Sequence, residues 1–532
     1  MGAAAGNIGQ PSAKPRANPW IIAAVVSLAA FMEVLDTSIA NVALPYMAGG
    51  LAVSVDNASW VLTSYLVANA AVLPISGWLS IRFGRKRYYL ASVVIFTVSS
   101  FLCGMAPSLG MLILFRILQG AGGGGLQPVS QAILKDTFPP EQLGIAFAVY
   151  GMVVVMAPAV GPTLGGWITD NYQWRWIFYI NVPVGIVSML LASRLVEDPP
   201  YLLNQIKKAR KYLSIDYLGI GTLALALGSL QVVLDKGQED NWFHSSLITW
   251  LAVIFPIALM VFLIRELTAR RPVMDLRMFK NRNFAGAAVM MLIIGFQIYS
   301  TNLFIPQYVQ NVLGYTAELS GFTQAPGALL MILLMPVVGK LVTRVQARWL
   351  IFWGFLLRGL AVYHMTDVYL QLSFGTAMMY RVWQSFGIAL LFIPVNTASY
   401  IGVPEEKGGE VSGTINLLRN VGGSLGISTV ETMLARREQF HQNLLITHVT
   451  PAQQPFRALK NGMSSELFYR GLSHSQAANQ ATLRIYHSVI TQATILSYMD
   501  VAWILAILCF AMMPLALLLK KNNPKMAHVS AE

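Results

Sequence analysis

Residues 20–46 read WIIAAVVSLAAFMEVLDTSIANVALPY, a run without a single Lys or Arg but with two acids, Glu33 and Asp36, near its middle. About 20 mostly apolar residues suffice for a helix to cross a bilayer, so the run is long enough to span. Apolar residues continue on both sides of Asp36, so this acid cannot snorkel to an interface. A carboxylate there is costly to bury and points to a function. The preceding stretch, Met1 to Pro19, is polar and Pro-rich and does not read as a secretory signal. The run is expected to be a retained first span.

The rest of the chain repeats the pattern. Its 532 residues are 55% hydrophobic and only 11% charged, with a mean hydropathy of +0.56, where a soluble domain is about a quarter charged. That excludes a soluble enzyme, a disordered scaffold and a secreted disulfide module. Cys103 and Cys509 each sit in an apolar run, which argues against a disulfide framework and a Cys-based metal site. No cofactor and no metal is expected.

Apolar runs between breakers give fourteen candidate spans: 20–46, 58–80, 88–106, 109–134, 143–168, 176–195, 216–235, 246–266, 284–309, 319–341, 348–366, 373–398, 411–435 and 498–519. The net charge of +13 reads as topology rather than as a nucleic-acid partner, because the basic residues lie in short loops and no basic patch is interleaved with aromatics. With the N-terminus inside, 25 of the 37 Lys and Arg fall on the cytoplasmic side, 8 outside and 4 within spans. Both termini are therefore expected in the cytoplasm. Residues 436–497 form a long polar connection on the outside, either a floppy loop ending in an interfacial helix or a docking surface for a partner.

An internal repeat divides the chain. PISGWLSIR (Pro74 to Arg82) matches PVVGKLVTR (Pro336 to Arg344) at an offset of 336 − 74 = 262. Arg116-Ile-Leu-Gln119 matches Arg381-Val-Trp-Gln384 at 265, and Gly161-Pro-Thr-Leu-Gly165 matches Gly422-Gly-Ser-Leu-Gly426 at 261. Three matches in order at nearly one offset mark two homologous halves, as in many transporters. The expected domains are residues 1–200, an inserted span pair at 201–270, and residues 271–532 with the 436–497 connection.

Glu33 and Asp36 share one helix face with Thr37 and Ala40. Two carboxylates one turn apart repel, which favours holding a proton at one of them. Arg116, Gln119, Gly123 and Gln127 recur on one face of the fourth span, and a buried guanidinium needs a carboxylate or a water-filled cavity. Either Asp36 or Glu33 is its natural partner. The glutamines fit cavity lining and interhelical hydrogen bonding equally well. Arg381, Gln384 and Asn396, and Asn416, Arg419 and Asn420, form polar faces on spans 12 and 13. Arg358 fits no motif. Tyr65, Met152, Met156, Phe296 and Tyr299, with Asn41 on the first span, are candidates for an adaptable cavity wall, although Met and aromatic residues are by default core or lipid-facing. The run Gly120 to Gly125 lacks the Lys-Ser/Thr of a phosphate loop and reads as close helix packing.

These motifs resemble the major facilitator superfamily and, within it, the fourteen-span drug:H+ antiporters, over nearly the whole length. The resemblance rests on LDTSIANVALP (Leu35 to Pro45), GWLSIRFGRKR (Gly77 to Arg87), LFRILQG (Leu114 to Gly120), APAVGPTLGG (Ala157 to Gly166), QWRWIFYINVPVG (Gln173 to Gly185) and RNVGGSLG (Arg419 to Gly426). It implies an all-α polytopic membrane protein with a major facilitator fold of 14 transmembrane helices: two six-helix lobes plus two inserted helices. It further implies proton-coupled efflux of drugs, with Asp36, Glu33 and Arg116 as the coupling residues. Gly77, Arg82, Gly84 and Arg85 would belong to a loop motif that here carries Ile81 where an Asp usually stands, so the usual acid latch is weakened or replaced. Pro158, Gly161, Pro162, Gly165 and Gly166 would form an antiport segment that bends and seals a rocking interface; the alternative is a mere kink with tight packing. The long outer connection is similar to that of EmrB-type inner-membrane subunits of tripartite pumps. That implies the bacterial inner membrane, lipid contact, small-molecule drugs and protons as ligands, a periplasmic membrane-fusion adaptor and, through it, a TolC-like outer-membrane channel. Uptake symport is disfavoured by the antiporter-like fifth span. A membrane-embedded enzyme is disfavoured because no nucleophile or metal set is clustered, and a receptor because no signalling domain is appended.

Overall fold

The computed structural model describes residues 18–199, 216–269, 274–404 and 407–520, and among these there is no strand. Lys14, Arg16, Lys207, Lys208, Arg210, Lys211, Arg270, Arg271, Lys521 and Lys525, which entered the charge asymmetry, lie outside the described residues, as do the two chain ends.

The first lobe starts with α1 (Pro19–Gly50), whose N-terminus is capped by the Asn18 side chain accepting from the Trp20 amide at 3.0 Å. The expected second span is broken. It consists of α2 (Trp60–Val72) and α3 (Ser76–Phe83), bent by 58° about a break that contains Pro74, which cannot continue the helical hydrogen bonds. Gly84 turns the chain with φ 92, a conformation glycine adopts without steric cost. Then follow α4 (Arg85–Met105), α5 (Leu109–Gly123), α6 (Leu126–Thr137), α7 (Pro140–Asn171) and α8 (Asn181–Leu195). The inserted pair is α9 (Tyr217–Lys236) and α10 (Ser246–Thr268). The second lobe holds α11 (Arg282–Asn311), α12 (Ala317–Val342), α13 (Ala347–Tyr363), α14 (Phe374–Ser399), α15 (Gly408–Ile446), α16 (Gln454–Tyr469) and α17 (His474–Leu517).

Among the described residues, eleven helices are long and apolar enough to cross a membrane, or twelve if the α2–α3 pair is one span. Two of the fourteen expected spans fall outside that criterion. In α13 there are only 17 residues, and α15 is rich in Gly, Asn and Arg. Both are nonetheless built into the bundle: α13 packs on α14 and α17, and α15 on α11 and α17. Each lobe has its own apolar core. One surrounds Phe96, Phe147 and Tyr150 and another surrounds Phe284, Met291 and Phe355. The inserted pair is fastened to both lobes by a smaller cluster in which Leu223, Leu227 and Phe262 meet Leu73 and Leu417.

The 436–497 segment is helical, not a loop. It comprises the end of α15, all of α16 and the first half of α17. At ~1.5 Å per residue the 39 residues of α15 and 44 of α17 reach about 58 and 66 Å, far beyond the ~30 Å of a hydrocarbon core. Ser473 and Gln476 form a capping box that starts α17, and Leu467 of α16 buries against Ala477 and Ala481.

Candidate functional site

Asp36 is 2% exposed and lies in a closed set of hydrogen bonds drawn from four helices. From α5, Arg116 donates NH1 to Asp36 Oδ2 at 2.5 Å, and Gln119 donates Nε2 to Oδ1 at 2.9 Å. From α8, Asn181 donates Nδ2 to the same Oδ1 at 2.8 Å and to Ser100 Oγ of α4 at 3.0 Å. Arg116 also donates Nε to the Val61 carbonyl at 3.1 Å and NH1 to Gln119 Oε1 at 2.8 Å, and its guanidinium stacks 4.2 Å from the centre of the Tyr65 ring. A buried ion pair of this kind is tolerated when further hydrogen bonds support it, as they do here on both Asp36 oxygens and on Arg116 Nε and NH1, although Arg116 NH2 has no partner. Removing either charge leaves the other uncompensated.

Glu33 is one turn earlier on α1 yet stands in a different set. Asn69 Nδ2 donates to its Oε1 at 3.0 Å, while Oε2 has no hydrogen-bond partner although it is buried. The expected carboxylate pair is therefore divided. The bulky Arg116 side chain draws Asp36 toward α5 and α8, and Glu33 faces α2. Gly123 lies between the two sets, because a Cβ there would stand 2.8 Å from Tyr65 Oη and 3.4 Å from Glu33 Cγ.

Several of the polar residues expected to line a cavity do other work. Asn41 donates to the Thr37 carbonyl of its own helix at 2.9 Å, and Asn396 to the Phe392 carbonyl of its own helix at 3.0 Å. Gln127 accepts from Arg419, and Asn416 donates to Gln131 Oε1 at 3.0 Å, so Gln127, Asn416 and Arg419 join the lobes rather than line a space between them. Met152 packs in the apolar cluster that joins α7 to α12 and α14, Phe296 packs on the second lobe's core, and Tyr299 covers Gly423. Met156 is half-buried. Arg381 and Gln384 meet Arg358 in a separate centre, through Gln384 Oε1. Asn181, Ser100 and Asn69 were missed by sequence reasoning. The available signal was an amide or hydroxyl inside an apolar span, which by itself does not say which neighbour it faces.

A profile of the Major Facilitator Superfamily matches residues 26–427. The chain is 37% identical to the Fatty acid resistance protein FarB of Neisseria gonorrhoeae, over 91% of this chain and 92% of that one. It is 35% identical to the Multidrug export protein EmrB of Escherichia coli K12, again over 91% and 92%. The chain belongs to the major facilitator superfamily. Among solved structures, the proton:xylose symporter XylE, bound to 6-bromo-6-deoxy-D-glucose, matches with a TM-score of 0.59 at 14% identity, covering 97% of this chain and 99% of that one. The human organic anion transporter MFSD10 matches at 0.54 and 11%, covering 93% and 100%. At such identities these likenesses show the fold alone. The major facilitator chain is a transporter, not an enzyme.

In this superfamily member the lobes meet tightly at the end that holds Arg85, Lys135 and Lys407. A Cβ on Gly77 would lie 2.7 Å from the Gly409 carbonyl oxygen, and one on Gly339 would lie 2.9 Å from that of Gly144. These contacts correspond under the repeat, since 339 − 77 = 262 and 409 − 144 = 265. Ser412 adds a hydrogen bond to the Pro128 carbonyl at 2.8 Å. At this end, where Ile81 supplies no acid, the lobes are joined by two close backbone approaches and by Gln127–Arg419 and Gln131–Asn416. Arg85 pairs with Asp136 and donates to the Ala132 carbonyl at 2.9 Å, holding α4 to α6; Arg82 is half-buried on α3. At the same end Lys407 pairs with Asp275. Burial would raise the Asp275 carboxyl, but the hydrogen bonds from Lys407 and the Arg277 amide outweigh it and hold the group below its ordinary value. This tether persists at neutral pH and is lost as pH falls through that lowered value.

The α7 segment is not broken by Pro158 and Pro162, for the helix runs unbroken from Pro140 to Asn171. Its glycines serve approach. A Cβ on Gly161 would lie 2.3 Å from Ser38 Oγ, and one on Gly165 would lie 3.1 Å from Ile39, both on α1, whereas Gly166 has nothing within 4 Å. The Gly120 to Gly125 run packs likewise, Gly120 against the Tyr65 carbonyl and Gly122 against the Phe96 amide.

Proposed function

We propose that this chain is a proton-driven exporter of hydrophobic or amphiphilic toxic compounds, working by alternating access through fourteen spans with both termini in the cytoplasm of a bacterium and the protein in its inner membrane. The observation that carries the reading is the Asp36–Arg116 pair, a buried carboxylate compensated by one buried guanidinium. A proton arriving at Asp36 removes the attraction and frees Arg116 inside a low-dielectric core. Asn181, on α8, and Gln119, on α5, then lose a charged acceptor, so the packing of two helices on α1 changes with one proton. Glu33, with its unpartnered oxygen, lies between this centre and the Gln127–Arg419 contact and is placed to pass the change to the lobe interface. The driving force is adequate. One charge across ~150 mV supplies roughly 3.5 kcal/mol, which sustains a gradient of several hundredfold at about 1.4 kcal/mol per decade.

The relatives FarB and EmrB, named for fatty acid resistance and multidrug export, support export over uptake. The decisive experiment reconstitutes the protein in liposomes carrying an inside-acid pH gradient and adds a panel of cationic and acidic dyes. Dye accumulation coupled to proton release is expected, and dye movement indifferent to the gradient would refute proton coupling.

We assign the α15–α16–α17 extension to a periplasmic membrane-fusion adaptor and, through it, a TolC-like channel. Deleting residues 440–485 is expected to abolish cellular resistance and adaptor co-purification while leaving transport in liposomes intact. Unchanged resistance and co-purification would remove the assignment.

A further inference from the structure

The repeat places the same Arg-x-x-Gln pair in both lobes, but the two copies are completed differently. In the first lobe Arg116 and Gln119 close on the carboxylate of Asp36. In the second, Arg381 donates NH2 to Asn302 Oδ1, an amide on α11, and NH1 to Gln384 Oε1 at 3.4 Å. A second guanidinium presses on the same acceptor. Arg358 is fully buried and donates NH1 to Gln384 Oε1 and to the Gln384 carbonyl, both at 3.2 Å, and NH2 to Thr301 Oγ1 at 2.7 Å and the Gln297 carbonyl at 3.1 Å. Its Nε has no partner.

Among the described residues, no carboxylate lies within salt-bridge distance of either arginine. Arginine does not shed its proton in proteins. Two positive charges that share one neutral acceptor inside a bilayer are strongly unfavourable without a counter-charge. Of the two, Arg358 is fully buried, while Arg381 is half-buried.

We propose that this centre is an anion subsite in which the carboxylate of an exported amphiphile lies on Arg381, with Arg358 behind it as a positioning residue that supplies field and holds Gln384. The guanidinium fork suits a carboxylate in two-point contact. The assignment rests on the export reading, but its test needs no gradient and so fails or succeeds apart from proton coupling.

The test measures equilibrium binding of 2-naphthoate and of 2-naphthamide, alike in shape and different in charge, to the full-length protein in lipid nanodiscs. The wild type is expected to prefer the carboxylate by about tenfold or more, the size of one charge-assisted contact. Arg381→Gln should bring the ratio to about one. Asn302→Asp carries the same test by a route that does not strip a charge from the fold, because it supplies an internal carboxylate; it too should erase the preference while amide binding is kept. Equal affinities in the wild type, or a preference that survives in Asn302→Asp, overturns the proposal. Replacing chloride by methanesulfonate, which carries no carboxylate, should change nothing; carboxylate binding that chloride displaces would overturn the carboxylate assignment and give the site to an inorganic anion.

Discussion

Asp36→Asn is expected to bring gradient-driven efflux in everted vesicles down to the level of vesicles without the protein. Three donors, from Arg116, Gln119 and Asn181, converge on two carboxylate oxygens. An amide offers one oxygen and two N–H groups, so at least one donor meets another donor. The variant also leaves Arg116 buried and uncompensated, which costs roughly 3–5 kcal/mol when one partner of a buried pair is removed. Thermal unfolding of the purified protein should therefore fall together with transport, and a transport assay alone cannot separate the two effects.

A double variant separates them. Asp36→Asn with Arg116→Gln removes both charges and is expected to recover most of the lost stability but none of the proton-coupled transport. Wild-type efflux in Asp36→Asn would dismiss the coupling role. A double variant no more stable than the single would show that the guanidinium was never the cause of the instability.

The second large effect concerns the closed end of the bundle. Gly77→Ala sets a methyl group 2.7 and 2.8 Å from the carbonyl oxygen and carbon of Gly409 and 3.0 Å from the Glu410 amide nitrogen. All three are backbone atoms and cannot swing aside as a side chain would. Relief requires α3 and α15 to part. Overpacking by one methyl typically costs about 1–3 kcal/mol, enough to shift a two-state equilibrium by roughly tenfold or more. A cysteine introduced by Asn416→Cys, buried in the contact with Gln131, should react with a soluble maleimide about ten times faster when Gly77→Ala is added. Gly339→Ala should act alike, since its contact with Gly144 is the repeat-related one. Unchanged labelling in both would mean that the glycine contacts do not set the closed state.

The legible parts of this protein are those written in the order of residues along the chain. Apolar runs long enough to cross a bilayer gave the spans, and the inserted pair at 217–236 and 246–268 falls within two residues of its expected bounds. Breaks were less legible. Pro74 ends α2 and sets a 58° bend, but a proline in an apolar run is equally compatible with a mild kink, as Pro158 and Pro162 show by lying in an unbroken α7. The polar composition of 436–497 hid three helices because α15 and α17 continue past the apolar zone, where a solvated helix needs no hydrophobic run.

Sequence alone determined that this is a membrane transporter chain, and it picked out Asp36, Glu33, Arg116, Arg358, Arg381 and Arg419 as charges set inside its apolar spans. It did so because each residue's solvent preference and helical period are local properties. Only the tertiary structure decided which charges meet. Asp36 pairs with a residue 80 positions away and with an amide 145 positions away, Glu33 stands apart from it, and Arg358 and Arg381 share an acceptor with no acid in salt-bridge reach among the described residues. Those choices depend on how helices distant in sequence are rotated and how closely glycine lets them approach, and neither is written in any one helix.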